Sequence, residues 1–470
     1  MAGVSAATLS RRSFVGGILS FGAVGPGFAS PLPDRPNLVV GIVSDPHANS
    51  RSNNTYLRKA FELFRARGVD AVAIPGDFGF VAKHGELLQS SRTWFDVFPD
   101  DRLPDGRKVE RIFITGNHDE DGWRSGKASQ AYKDTSVEKS AFAFHRQEYW
   151  REAWKEDYAP VFVKTVKGYT FVCRHWLPRQ SYKNNPAVVW LKAHEADLPT
   201  ERPFFYLQHE ALAGATNHPE AGKVGRRQWN GADDGAVAKI LAKHPNCIAL
   251  TGHIHNPLTF DTGIWQGAFT SVDCASANAW AFTWPGRENG HPGGKETPMC
   301  DVSDQRHCLV MSVFNDRIAF ERRCLLNDEP LGADWVVPIG AQARRPYTDA
   351  AKNAAEPPPE FAPGAKVEVR CEAGEDAKGN RHEQFVISFP SVNGSVSPFV
   401  RAFDYEIASP QSNRTYAVFS PKCCLAAHRD SGLVVCRLKA ADFPKDGPLT
   451  FEVRPRDSRG RRGTPLLGRL

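Results

Sequence analysis

Five short apolar runs along the chain end abruptly in polar residues. They are NLVVGIVSDPH from Asn37, VDAVAIPGD from Val69, RIFITGNHD from Arg111, PFFYLQHE from Pro203 and NCIALTGHIH from Asn246. Each reads as a buried strand feeding a loop. Between them the apolar spacing lengthens to a helical period. Leu57, Ala60, Phe61 and Phe64 repeat this way ahead of a stop at Gly68. Val189, Leu191 and Leu198 do so before the fourth run, and Val237, Ile240 and Leu241 before the fifth. Strands alternating with helices predict an α/β architecture.

Beyond about Cys324 the pattern changes. A Pro/Ala-rich stretch, RRPYTDAAKNAAEPPPEFAPGA, predicts a linker or a strapped extended segment. After it come short β-type runs separated by turn residues: KVEVRC, EQFVISF, FDYEIAS, RTYAVFS, GLVVCRL and LTFEVRP. That spacing predicts a small β-sandwich without a catalytic cluster, weakly similar to a fibronectin type III or immunoglobulin-like module.

The N-terminus adds an export expectation. Arg11 and Arg12 precede Ser13 and Phe14, and a glycine-broken apolar stretch runs to about Phe28. It is too short and broken to span a bilayer. With small residues at Gly27 and Ala29 it reads as a signal peptide. The arginine pair resembles a twin-arginine signal, which implies a bacterial or archaeal exported protein, periplasmic or extracellular, whose partner would be the twin-arginine export machinery. The expected domains are a signal peptide at 1–30, a catalytic domain at 31–330, a linker at 331–362 and the β-sandwich at 363–470.

Composition narrows the classes. The 470 residues are 41% hydrophobic and 24% charged with a net charge of +6, ordinary for a globular protein. No dense basic stripe interleaved with aromatics is present, so specific nucleic-acid binding is not expected. Ten cysteines without a CxxC pair exclude a disulfide scaffold and a thiolate zinc site. Cys300 with Cys308, and Cys371 with Cys436, are candidate pairs left open.

The chemistry lies in the strand ends, which read DPH, GD, GNHDE, QHE and GHIH. Open α/β sheets place ligands at the carboxyl ends of their strands, so five ends would converge on one site. In this order the blocks resemble the calcineurin-like metallophosphoesterases. The resemblance implies a four-layer α/β/β/α sandwich, with the β-sandwich appended, and two transition-metal ions, divalent or trivalent. By resemblance one ion would be held by Asp45, His47, Asp77 and His255. The other would be held by Asp77, Asn117, His209 and His253, with Asp77 bridging. Imidazole, carboxylate and amide donors suit Zn, Mn, Fe, Co or Ni and leave the metal open.

The implied reaction is hydrolysis of phosphate esters by a metal-bridged hydroxide. Asn117 and His118 would contact substrate. His118 would assist the leaving group or stabilise the phosphate, and Asp119 would hydrogen-bond its imidazole. Phe80 stands in GDFGF where the related purple acid phosphatases carry a tyrosine, so a tyrosinate-iron colour is not expected. Gly252 would give its turn room to divide His253 and His255 between the metals. His175, Trp176, His218, Asp273 and Cys274 are candidates for the pocket wall, and each also fits a purely structural role. His84 has no assigned role. The substrate is left as a small-molecule or surface-polymer phosphate ester. Its specificity is expected in the segments Phe80 to Arg111, Asp121 to Val161 and Ala211 to Asp234. A phosphodiesterase rather than a monoesterase, or an exported binding protein with a relic metal site, are the alternatives. Oligomeric state is not legible.

Overall fold

A computed structural model describes residues 35–48, 54–79, 84–120, 146–176, 185–216, 235–278, 306–340, 343–375, 379–392, 404–412, 415–419, 432–457 and 459–470. Residues from Pro36 onward form one compact unit. The expected signal peptide, His218, Phe80 and Cys300 lie outside the described residues. Among the described residues no helix is long and apolar enough to cross a membrane.

All five apolar runs are strands: β1 (Leu38–Ile42), β2 (Ala71–Ile74), β3 (Glu110–Phe113), β6 (Phe204–Leu207) and β7 (Cys247–Thr251). They divide between two sheets. The first adds β10 (His307–Val313), β11 (Arg317–Cys324), β12 (Glu329–Pro330) and β13 (Trp335–Pro338). Its order is β12-β11-β10-β1-β2-β3, with β13 also on β11; β1, β2 and β3 are parallel. The second sheet joins β6 and β7 to β4 (Val161–Val166), β5 (Tyr169–Arg174), β8 (Ile264–Gln266) and β9 (Thr270–Asp273). Its order is β4-β5-β6-β7-β9-β8, parallel from β5 through β9.

The period-2 alternation of side chains builds the layers. Leu38, Val40 and Ile42 face the second sheet, packing with Phe171, Phe205 and Leu250. Val43, Val72 and Ile74 face outward onto the helices Thr55–Arg67, His84–Val97 and Arg146–Trp154. On the far side Val172, Tyr206 and Ala249 pack on the helices Pro186–Ala193 and Ala236–Leu241. The result is the expected α/β/β/α sandwich. Gly68 ends the first helix in a left-handed conformation, its N–H reaching the Arg65 carbonyl.

Two regions differ from the sequence reading, and a third takes one of its two alternatives. Val161–Arg174 is an antiparallel hairpin turning at Lys167 and Gly168, both at positive φ. The alternation VFVKTVKGYTFV carries that signal. The segments Phe80–Arg111 and Asp121–Val161, read as loops, contain the helices His84–Val97 and Arg146–Trp154. Serine and threonine on buried positions of the first (Ser90, Ser91, Thr93) dilute its apolar stripe. The Pro/Ala-rich stretch is a strap. Trp335 is buried beneath the Arg322 guanidinium, and Lys352 of the helix Asp349–Ala355 donates to the Asp261 and Ile264 carbonyls.

The C-terminal strands are β14 (Glu368–Glu375), β15 (Arg381–Pro390), β16 (Asp404–Ala408), β17 (Thr415–Phe419), β18 (Leu433–Lys439), β19 (Thr450–Arg456) and β20 (Leu466–Arg469). They form a three-stranded sheet, β14-β15-β18, and a four-stranded sheet, β17-β16-β19-β20. Phe385, Ile387 and Cys436 of one meet Tyr405, Ile407 and Phe451 of the other in a common core. Cys371 and Cys436 are both free thiols, one exposed and one buried, so that candidate pair is not formed.

Candidate metal centre

The strand-end loops are held by hydrogen bonds that prolong each parallel ladder. The N–H groups of Asp45, His47 and Ala48 donate to the carbonyls of Gly76, Asp77 and Phe78 at 3.2, 3.0 and 2.6 Å. In the second sheet Gly252 N–H donates to His209 O at 2.8 Å. Asp45, His47, Asp77, His253 and His255 all have φ between 44° and 70°. L-residues rarely adopt this region, and it clusters at functional sites.

Two glycines permit the close approach of these loops. Gly76 has φ 108°, and a Cβ there would overlap His209 Nδ1 and the Gly116 backbone. At Gly252 a Cβ would overlap Ser44 Oγ and Asp45 Oδ2. Its role is thus to admit the β1 loop, rather than to separate His253 from His255.

Asp45, His47, Asp77 and His255 present ligand atoms all within 4.8 Å of one another, and Asp77, His209 and His253 form a second such group. Asp77 belongs to both. His118 N–H donates to Asp77 Oδ1 at 2.8 Å. Asp77 Oδ2 is buried and accepts no hydrogen bond among the described residues; His209 Nε2 stands 3.2 Å from it and His47 Nε2 3.8 Å.

The donors turn their polar atoms toward one another. His209 Nδ1 lies 2.7 Å from the Pro75 carbonyl, which fixes its proton there. Its Nε2 then faces Asn117 Oδ1 at 3.0 Å, an acceptor. His47 Nδ1 is likewise turned to the Gly79 carbonyl at 3.2 Å, leaving Nε2 facing His255 Nε2 at 3.2 Å. His255 Nε2 lies 2.8 Å from Asp45 Oδ1. Such a cluster calls for positive charge at its centre.

Titration agrees. Burial alone would raise the Asp45 and Asp77 carboxyls, but neighbouring imidazoles hold both low. Burial opposes protonation of His209, yet Asp77 and Asp45 raise it to about 10. Burial, with the neighbouring imidazoles, depresses His47 to about 3 and His253 to about 4. The centre is therefore built to hold cationic charge among oxygen and imidazole donors, and a transition-metal ion fits this set.

The other expected residues fall as follows. His118 is half-buried, its ring edge-on to His47 with centroids 4.7 Å apart. Asp119 does not bond His118. Its carboxylate accepts the N–H groups of Gly79 and Gly116, each at 2.8 Å, and of Phe78 at 3.2 Å. One position along a helical turn points its side chain away from that of His118 and back into the β2 loop. Burial and the Asp77 charge raise its pKa, opposed by those amides.

His175 is buried in an aromatic box of Trp150, Tyr158 and Phe162. Its Nδ1 accepts from Thr115 N–H at 3.0 Å, and it supports the β3 loop. Trp176 is also buried, its N–H on Thr115. His84 stacks on Tyr149 and pairs with Glu152 at 3.2 Å. Three groups escaped the sequence reading. Ser44 Oγ donates to Asp45 Oδ2 at 2.5 Å. Glu120 accepts from Thr115, Tyr158 and Arg146. Arg174 and Glu210 form a buried ion pair beside His209. Only Glu120 and Glu210 carried a signal, as acids flanking apolar runs.

The fold and the converging donors are those expected of a metal-binding α/β/β/α domain. Residues 38–257 match the family model for calcineurin-like phosphoesterases, a family of metal-dependent phosphoester hydrolases. Similar solved structures include a conserved predicted phosphoesterase from Streptococcus pneumoniae TIGR4, 11% identical, covering 64% of this chain and 98% of that one with a TM-score of 0.27. GAP50, the anchor in the inner membrane complex of Plasmodium, is 11% identical over 68% and 92% of the two chains, with a TM-score of 0.37. Vacuolar Protein Sorting 29 from Cryptosporidium parvum is 9% identical over 64% and 96%, with a TM-score of 0.27. At these values the three likenesses say nothing of activity. A comparison with the curated proteins finds no match.

Proposed function

We propose that the protein is an exported dinuclear-metal phosphoesterase. The observation that carries this reading is Asp77: one buried carboxylate shared by two converging donor groups, with an oxygen left without a hydrogen bond among the described residues. Asp45, His47, Asp77 and His255 would hold one ion, and Asp77, Asn117, His209 and His253 the other. Bound there, such ions supply Lewis acidity to phosphoryl oxygens and acidify water.

The remaining work falls to the chain. Pro75 and Gly79 carbonyls fix the tautomers of His209 and His47, so that each turns Nε2 inward. The His118 backbone holds Asp77 while its half-buried imidazole stays at the rim, where it would meet an ester oxygen. There it donates a hydrogen bond to the phosphoryl group or a proton to the leaving oxygen. Asp119 braces the β2 and β3 loops against each other. Export rests on the twin arginines at Arg11 and Arg12. The strand order of the C-terminal sandwich favours a fibronectin type III-like module.

The test is hydrolysis of para-nitrophenyl phosphate and bis-para-nitrophenyl phosphate by protein stripped of metal and reloaded with Mn, Zn, Fe or Co. Metal-restored turnover that disappears in His253→Ala is expected, and the ratio of rates assigns mono- or diester preference. Two ions bound with no turnover of either ester would favour a binding role instead.

A further inference from the structure

The two donor groups draw on both sheets, and backbone ladders do not cross from one sheet to the other. Asp45 and His47 follow β1 of the first sheet, whereas His253 and His255 follow β7 of the second. Asp45 and His255 must nevertheless stand side by side. One direct link is His253 N–H to the Asp45 carboxylate, at 3.1 Å to Oδ2. Others are the donor contacts themselves, His255 Nε2 with Asp45 Oδ1 at 2.8 Å and with His47 Nε2 at 3.2 Å; a main-chain connection comes from a segment outside every recognised block, the end of β9 and the turn after it.

That segment grips both loops. On the β7 side, Cys274 N–H donates to Thr251 O at 2.7 Å. Asp273 Oδ2 accepts Asn256 N–H at 3.2 Å, one residue beyond His255, and its Oδ1 accepts Ala275 N–H at 3.0 Å. Ala275, at φ 58°, then reverses the chain toward β1. There Ser276 Oγ shares its hydrogen between the carbonyls of Asp45, at 3.0 Å, and Asn278. Ala277 N–H donates to Ser44 O at 2.9 Å. Asp273 and Ser276 are fully buried, and neither belongs to the converging donor groups. A buried carboxylate is costly unless its acceptors are used, and this one spends them on the backbone beside a donor histidine.

We propose that Asp273 and Ser276 are positioning residues that set the separation of the β1 and β7 loops, and with it metal affinity at the site of Asp45, His47, Asp77 and His255. The inference rests on the dinuclear reading above. It assigns the two residues to one metal site more than to the other, because they grip the main chain next to Asp45 and His255, while of the second site's donors Asn117 and His209 stand on loops they do not touch and only His253 shares the gripped β7 loop.

The test is calorimetric titration of the full chain with Mn2+ in two backgrounds, each leaving one site complete. In His253→Ala the complete site is that of Asp45 and His255; in His47→Ala it is that of Asn117 and His209. Adding Ser276→Ala, or separately Asp273→Asn, should weaken Mn2+ binding about 10–100-fold in the first background, the usual effect of losing a group that orients a ligand. Binding in the second background should be unchanged. The melting temperature of the metal-free chain should fall by the same amount when Ser276→Ala is added to either background, since the same buried hydroxyl is lost in both. Equal weakening in both backgrounds, or none in either, overturns the assignment. Failure of the unsubstituted chain to bind two Mn2+ would instead remove the dinuclear reading, and this inference with it.

Discussion

The two halves of the compact unit use burial in opposite ways. At the strand ends of the α/β domain the interior is crowded with polar groups: Asp45, His47, Asp77, Asn117, Asp119, Glu120, His209, Glu210, His255 and Asp273 are all buried. In the C-terminal sandwich the buried polar residues, among those described, are Ser388, Ser409, Arg456 and Asp457. Backbone conformation divides the same way. Twelve described non-glycine residues have positive φ, and none lies beyond Asp328. Five of the twelve, Asp45, His47, Asp77, His253 and His255, stand at the donor cluster, where strained backbone and desolvated charge coincide. The second half is an apolar core between two sheets, and its stability follows from packing.

The contrast is sharpest at the donors. His253→Ala should reduce ester hydrolysis to background and metal content to one ion per chain; full activity with one ion would dissolve the distinction. Next in size, His118→Asn should lower kcat by about 10²–10⁴-fold, the range for a positioned acid–base group, with metal content unchanged. The loss should grow with the pKa of the leaving alcohol if the imidazole gives up a proton, and stay flat if it only binds the phosphoryl group.

The sandwich should answer in the other currency. Phe451 is fully buried against Phe385 and Phe443. Phe451→Ala should cost about 3–5 kcal/mol in denaturant unfolding and leave kcat per folded molecule unchanged. A large fall in kcat would show that the sandwich shapes the active site. Asp119 lies between the two behaviours. Asp119→Ala strands three buried backbone N–H groups, and should destabilise by about 2–3 kcal/mol with metal-site chemistry retained.

The smallest expected effect is acid lability. Burial, with nearby arginines, depresses His307 to about 3 and holds His175 well below the ordinary imidazole range. Both stay neutral in the fold, while the unfolded chain takes up protons below pH about 6.5. Their contribution is intact above that pH and lost as pH falls, about 1 kcal/mol per imidazole between pH 6.5 and 5.5. Hydrogen exchange should therefore show the α/β half loosening first, since His307 and His175 are both buried there. His307→Gln should flatten the slope of melting temperature against pH.

What could be read from the sequence follows the same division. Strands buried on both faces write themselves as unbroken apolar runs, so β1, β2, β3, β6 and β7 and their terminal Asp and His residues were legible. In the α/β half, RIAFERRC of β11 was not, because one face meets solvent and the apolar signal is halved, whereas alternating runs of the sandwich such as LTFEVRP were legible from the turn residues that punctuate them. Proximity in sequence misled at Asp119: adjacency to His118 says nothing of the direction its side chain takes. Asp273 was marked only as a candidate for the pocket wall and Ser276 not at all, since the partners of both are carbonyls and amides, which every residue carries.

The central claim is that one carboxylate joins two metal sites, and metal content tests it most directly. Native mass spectrometry of the unsubstituted chain and of Asp77→Ala, both stripped and reloaded with Mn2+, would count the ions. The account predicts two ions in the first and none retained in the second, with both chains folded. Two ions in Asp77→Ala would contradict it.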